Sequence, residues 1–152
     1  MGDLSPHFSK HEFECKCGCG LCSPHAFLIP GLELLRSNLC ELVGKNIPLH
    51  ISSGHRCAEH NREEGGARNS QHLLGKAADV HANVSMEMLF RAALLVPVFR
   101  YGGIGIYEPD NGSFLHLDVR GYKSRWLNRP TQSLSPRWEQ LEQEVRRESG
   151  WK

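Results

Sequence analysis

Two stretches of the chain carry the residues best suited to chemistry. Ser70-Gln71-His72-Leu73-Leu74-Gly75-Lys76-Ala77-Ala78-Asp79 sets a histidine and a carboxylate seven residues apart, with a glycine and two alanines between them. Small residues let the backbone pass close to a bound group. Imidazole and carboxylate both suit a borderline ion such as Zn²⁺, and a catalytic zinc site takes three protein ligands plus water. The run Phe114-Leu115-His116-Leu117-Asp118-Val119 supplies the third candidate, His116. If Leu115 and Leu117 face a core, His116 and Asp118 share the opposite strand face. The competing reading makes His116 a surface histidine on a hairpin and Asp79 a turn carboxylate.

Arg56 follows a strand-like segment in Ser53-Gly54-His55-Arg56. Its planar fork suits carboxylate recognition and the stabilisation of a developing oxyanion; the bland alternative is a surface arginine. Ser70 and Gln71 offer a hydroxyl and an amide to a substrate, although Ser70 equally begins a turn. The pair Gly102-Gly103 lacks a following helix, so it reads as turn geometry and not as a phosphate cradle. Tyr107 and Trp126 read as groove-lining or core aromatics.

Six cysteines are many for a reducing compartment, and four crowd into Cys15-x-Cys17-x-Cys19-x2-Cys22, with Cys40 and Cys57 apart in sequence. This is not the paired CxxC spacing of a zinc ribbon. Reduced thiols, or disulfides formed in an oxidising space, are the first reading. A second metal ion held by Cys15, Cys17, Cys19 and Cys22 is the alternative. If this segment were a strand, Cys15 and Cys19 would share a face that Cys17 could not.

The elements that must position these groups follow from periodicity. Ser9 with Glu12 three residues later predicts a short capped turn in an otherwise irregular segment 1–30. Apolar residues at 32, 35, 39 and 42 predict a helix stopped by Gly44. Ile47 to Ser52 alternates and predicts a strand; a short helix is expected near Ala58, and a strand over Lys76 to Ala82 with Asp79 at its middle. Ser85 caps a helix running to about Leu95, which Pro97 ends. Gly102 to Tyr107 and Ser113 to Val119 form a hairpin about Pro109-Asp110-Asn111-Gly112. Pro136 opens a polar helix to about Glu148, read as a docking tail. The fold class is α+β, a small antiparallel sheet with helices against one face, with residues 1–130 as one domain and 131–152 as a polar helix or tail.

A chain of 152 residues is long enough for one real core. A net charge of +1 gives no global argument for nucleic acid or for an anionic membrane surface. The start Met1-Gly2-Asp3-Leu4-Ser5-Pro6-His7 has no basic region before an apolar run, and no run approaches membrane-spanning length. No signal peptide and no membrane insertion are therefore expected.

Five blocks in order — Ser52 to Cys57, Asn61 with Gly65-Gly66, Asn69 through Asp79, Gly102 through Gly105, and Phe114 through Arg120 — resemble the zinc D-Ala-D-Ala carboxypeptidase family (peptidase M15), which also holds peptidoglycan endopeptidases. The short domain found in phage and prophage proteins is the most similar branch, and the Phe13 to Cys19 opening is similar to it too. The resemblance implies a Hedgehog-like α+β fold and one Zn²⁺ held by His72, Asp79 and His116. It also implies Arg56 on the substrate carbonyl or terminal carboxylate, and peptidoglycan peptides as substrate. Action at the cell wall by phage-type release or virion association, and a monomer, are expected with it. Several branches place an acid three residues before the last histidine; here that position is Ser113. Asp118 is then the general base or, equally, a residue that orients a ligand. His55 and His81 are weaker proton-transfer candidates, and His55 stands where the family usually has an aromatic. A non-catalytic module that keeps the fold and the metal is the alternative function. A nucleic-acid binder built on the cysteines is disfavoured by charge.

Overall fold

The backbone N–H of Ser9 donates to Glu12 Oε2 at 2.7 Å, closing the turn before α1 (Lys10–Phe13). Leu28, Leu32, Leu35 and Leu39 make one buried stripe along α2 (Leu28–Val43), which Gly44 ends in the left-handed conformation at φ 81°. The computed structural model describes residues 2–151; Met1 and Lys152, the outer limits of the two expected segments, lie outside them.

Strand β1 (His50–Ser53) is shorter and later than the alternating run suggests. Ile47 and Leu49 are buried in the core ahead of the first paired residue. Helix α3 (Ala58–Glu63) is capped by Cys57, and a 3₁₀ turn spans Gln71–Leu74. Strand β2 (Ala77–His81) carries Asp79 at its centre. Helix α4 (Met86–Leu94) is capped by the Ser85 hydroxyl. Pro97 does not merely stop it: it opens the one-turn helix α5 (Pro97–Arg100), at a position where the N–H that proline lacks would have no intrahelical partner. β3 (Gly103–Tyr107) and β4 (Phe114–Asp118) form the expected antiparallel hairpin.

The sheet is mixed rather than purely antiparallel. Its order is β1-β2-β4-β3-β5, and β5 (Ser124–Leu127) runs parallel to β3 at the edge. Ala78, Val80, Ile104, Ile106, Leu115 and Leu117 are wholly buried on one side, with the apolar sides of α2 and α4 in the same core. The opposite side of these strands carries the polar residues.

Helix α6 (Pro136–Ser149) packs its Trp138 and Val145 into the core. Its ring Trp138 meets Phe90 edge-on at 5.5 Å, and Glu148 pairs with Arg91. Buried Glu142 receives Arg125 Nε of β5 at 2.9 Å, so α6 also fastens the parallel edge strand.

Cys15 to Gly20 is a succession of turns, so strand alternation does not govern its cysteines. Cys15 Sγ and Cys17 Sγ lie 3.4 Å apart. Cys57, distant in sequence, joins them, whereas Cys22 faces away toward the Lys10 carbonyl.

Candidate metal centre

One row of residues crosses the polar side of the sheet. Asp79 pairs with His116, His116 with Gly105, and Gly105 with Trp126. Period-two alternation fixes this row, because the strand neighbours of Asp79, Gly105 and His116 are core residues. Gly105 is the gap that makes it work: a Cβ there would lie 2.4 Å from the Trp126 ring. The indole therefore leans over the missing side chain to within 5.1 Å of the His116 ring centre, and its Nε1 donates to Tyr107 Oη at 2.8 Å.

His72 arrives from the 3₁₀ turn. The Ser70 hydroxyl accepts the His72 N–H at 3.2 Å, and Gly75 ends the turn at φ 68°. The His72 ring is buried, with Nε2 3.1 Å from Asp79 Oδ1 and 3.2 Å from His116 Nδ1. His116 Nδ1 is 3.3 Å from the same Asp79 oxygen.

The outer nitrogens decide which faces inward. His72 Nδ1 is 2.7 Å from the Gly54 carbonyl, and His116 Nε2 is 2.7 Å from Asp118 Oδ2. Both partners only accept, so both of those nitrogens carry hydrogen. With each ring neutral, the two inward nitrogens and Asp79 Oδ1 present three lone pairs to one point. Such a point could hold a cation. Ligands about 2.0–2.2 Å from a tetrahedral ion lie roughly 3.3–3.6 Å apart, and the observed triangle is slightly tighter. The donor set and the hydrogen-bonded outer nitrogens both fit zinc chemistry.

The four ionisable groups here shift strongly against one another. Burial pushes His72 below its ordinary value. Burial would also lower His116, but its hydrogen bonds to Asp118 and Asp79 raise it to about 9. Burial would raise Asp79 and Asp118. The His116 and His72 rings beside it hold Asp79 well below the usual carboxylate range, and hydrogen bonds from His116 and Arg120 do so for Asp118.

Arg56 sits beside this triangle. Its Nη2 donates to Asp79 Oδ2 at 3.2 Å, Nε to Ser53 Oγ at 3.0 Å and Nη1 to Asn61 Oδ1 at 3.2 Å. Asp118 lies behind the His116 ring. It is wholly buried: Oδ1 accepts the Gly103 and Arg120 N–H groups, and Oδ2 accepts from His116 and Arg120 Nη2. It borders none of the cleft, and its contacts are those of a group that orients a ring. Gly103 explains how it fits, since a Cβ there would fall 2.2 Å from Asp118 Oδ2. His55 accepts the Ser23 N–H at Nδ1 and donates to the Leu73 carbonyl, a structural place. His81 stacks on His50 at the sheet's edge, away from the triangle.

The triangle lies in a cleft of about 960 Å³ bordered also by Gln71, Ser70, Tyr107 and Trp126. Its rim is basic: Lys16, Arg68 and Arg129 are exposed there, against exposed Glu64. Sequence reasoning gave no role to Asn61 or Arg120, although both stand in blocks that carry the family resemblance. Arg120 grips Asp118 with two nitrogens and lies 5.1 Å over the Trp126 ring. Its position two residues past Asp118, just beyond the end of β4, was the available signal.

Compared with known proteins, residues 6–118 match a family model described as Peptidase M15. No curated protein matches the chain.

Proposed function

The chain belongs to the peptidase M15 family, and from that premise we propose that it is a zinc metallopeptidase cutting peptide bonds in peptidoglycan stem peptides or cross-bridges. The observation that carries the reading is the triangle of His72 Nε2, Asp79 Oδ1 and His116 Nδ1 open to a cleft. A bound Zn²⁺ supplies Lewis acidity there, polarising a carbonyl and acidifying a water in its open position.

The chain's own groups do the rest. Gly54 O and Asp118 hold the two rings at fixed rotation. Arg56 occupies the second oxygen of Asp79, leaving Oδ1 as the single inward donor, and its guanidinium borders the cleft where a substrate carbonyl or carboxylate would lie. Tyr107 accepts from Trp126 and so keeps its own proton for an acceptor in the cleft. Burial raises its pKa, which keeps the phenol protonated. A donor aimed at developing negative charge is the usual largest contribution in acyl transfer. Lys16, Arg68 and Arg129 suit the free carboxylates of stem peptides. Gln71 offers its amide to the substrate backbone, while the Ser70 hydroxyl is engaged on the His72 N–H. This reading has the protein acting on the cell wall as a monomer, reached by a phage-type route.

One observation favours a second reading, a zinc-containing module that binds wall peptides without cutting them. Among the described residues bordering the cleft, the carboxylates are Asp79, a ligand, and Glu64 on the exposed rim. Incubation of the zinc-loaded protein with purified sacculi, followed by mass spectrometry of the muropeptides, separates the two. The peptidase reading expects new peptide termini that vanish in His72→Ala, Asp79→Ala and His116→Ala. Sacculus binding with no cleavage at any pH would leave the module.

A further inference from the structure

The geometry points to a second metal centre, a structural Zn²⁺ held by the thiolates of Cys15, Cys17, Cys19 and Cys57. It does not depend on the peptidase reading. All four Sγ atoms lie within 4.8 Å of one another. The Cys15–Cys17 separation is 3.4 Å, and Cys15–Cys57 and Cys17–Cys57 are both 3.7 Å. Four sulfurs about 2.3 Å from a tetrahedral ion lie about 3.8 Å apart. A disulfide requires about 2.05 Å, and one Cys15 sulfur cannot bond to two partners at once. The spacing is that of a single ion's coordination shell; a polynuclear iron–sulfur cluster would spread the thiolates further.

The backbone is shaped for it. Gly18 and Gly20 take positive φ, at 87° and 83°, so that three cysteines on a tight loop can turn to one point. Two N–H groups aim at sulfur: Cys57 N lies 3.4 Å from Cys15 Sγ, and His60 N lies 3.4 Å from Cys57 Sγ at the start of α3. Such donors stabilise thiolate charge. The fourth ligand, Cys57, is what the spacing of Cys15 to Cys22 could not reveal.

Location gives the centre its consequence. Cys57 directly follows Arg56, and Lys16 between two of the ligands borders the cleft. The same segment reaches the metal triangle through its backbone: His55 N–H donates to the Phe13 carbonyl at 2.8 Å, and Gly54 packs so closely on Phe13 that a Cβ would lie 2.7 Å from it. The ion would therefore rivet the N-terminal segment to the turn that carries Gly54 and Arg56.

The test is metal stoichiometry on the whole chain, purified with reductant and without chelator. Two zinc ions per wild-type chain are expected, one in His72→Ala/His116→Ala, and one in Cys17→Ser/Cys19→Ser. The His72→Ala/His116→Ala variant loaded with Co²⁺ should show sulfur-to-cobalt charge transfer and the intense visible bands of tetrahedral cobalt. That spectrum keeps the test sharp even if the serine variant fails to fold. One zinc per wild-type chain with the four thiols freely reactive would overturn the proposal. So would a mass deficit from disulfides in the native protein, cobalt without thiolate charge transfer, or the visible absorption of a ferric tetrathiolate.

Discussion

Asp118 lies behind His116, with Oδ2 2.7 Å from Nε2, on the side of the ring opposite the metal triangle. The carboxylate thus sets which nitrogen of His116 is free, and it does so from a place no substrate reaches. Its influence on chemistry has to pass through the imidazole.

Asp118→Asn should lower zinc affinity about 10–100-fold, the usual cost of losing a partner of a ligating histidine. Competition with a calibrated chelator measures it. Excess zinc should restore most of the activity on sacculi. A variant that binds zinc normally yet has lost all turnover would return Asp118 to the role of base.

Zinc loading should release a proton. His116 in the metal-free chain titrates near 9, so at neutral pH its ring is protonated, whereas His72 is already pushed toward the neutral form. The ion must displace the His116 proton, and apparent affinity should rise about tenfold per pH unit up to about 9. For the empty chain, the same proton stabilises the fold fully below 6.5 and is lost as pH rises through about 9. Calorimetry in two buffers of different ionisation enthalpy counts the protons released. No buffer dependence at pH 7 would contradict the assignment.

Arg56→Lys keeps the charge but loses the three-way fork to Asp79, Ser53 and Asn61. Zinc content should stay at the wild-type value, while kcat/KM on muropeptides falls about 10–100-fold, from losing an oriented donor at the reacting carbonyl. Parallel elemental analysis and kinetics separate that outcome from simple loss of metal.

Trp138→Ala should destabilise the chain by about 3–5 kcal/mol, as for a fully buried aromatic. Denaturant unfolding with an unchanged slope reads it. A tail that merely awaited a partner would unfold with less than about 0.5 kcal/mol of change on such a substitution.

Local signals were the legible part of the fold. Ser9 with Glu12, Ser85 ahead of Met86, and Asn111-Gly112 between two alternating runs all act over three or four residues, so they can be read before any tertiary contact exists. The convergence of His72, Asp79 and His116 was also readable, because strand alternation and the family resemblance agree on it. The rest depended on contacts far apart in sequence. β5 has four residues and no clear alternation, and it exists because β3 offers it a parallel edge and Glu142 fastens Arg125. In α6 only Trp138, Leu141 and Val145 mark an apolar stripe among charges, which is why the helix reads as solvated. Asp118 was placed on the right face, but face alone does not say whether a carboxylate looks into a cleft or supports its neighbour's ring.

The two imidazoles differ in what braces them: an amino-acid side chain behind one, a peptide carbonyl, Gly54 O, behind the other. No substitution can delete a main-chain oxygen, and Gly54 is itself wedged against Phe13. Drift among homologous sequences can therefore retune the basicity of His116 by editing one codon, while the orientation of His72 is inherited with the fold itself.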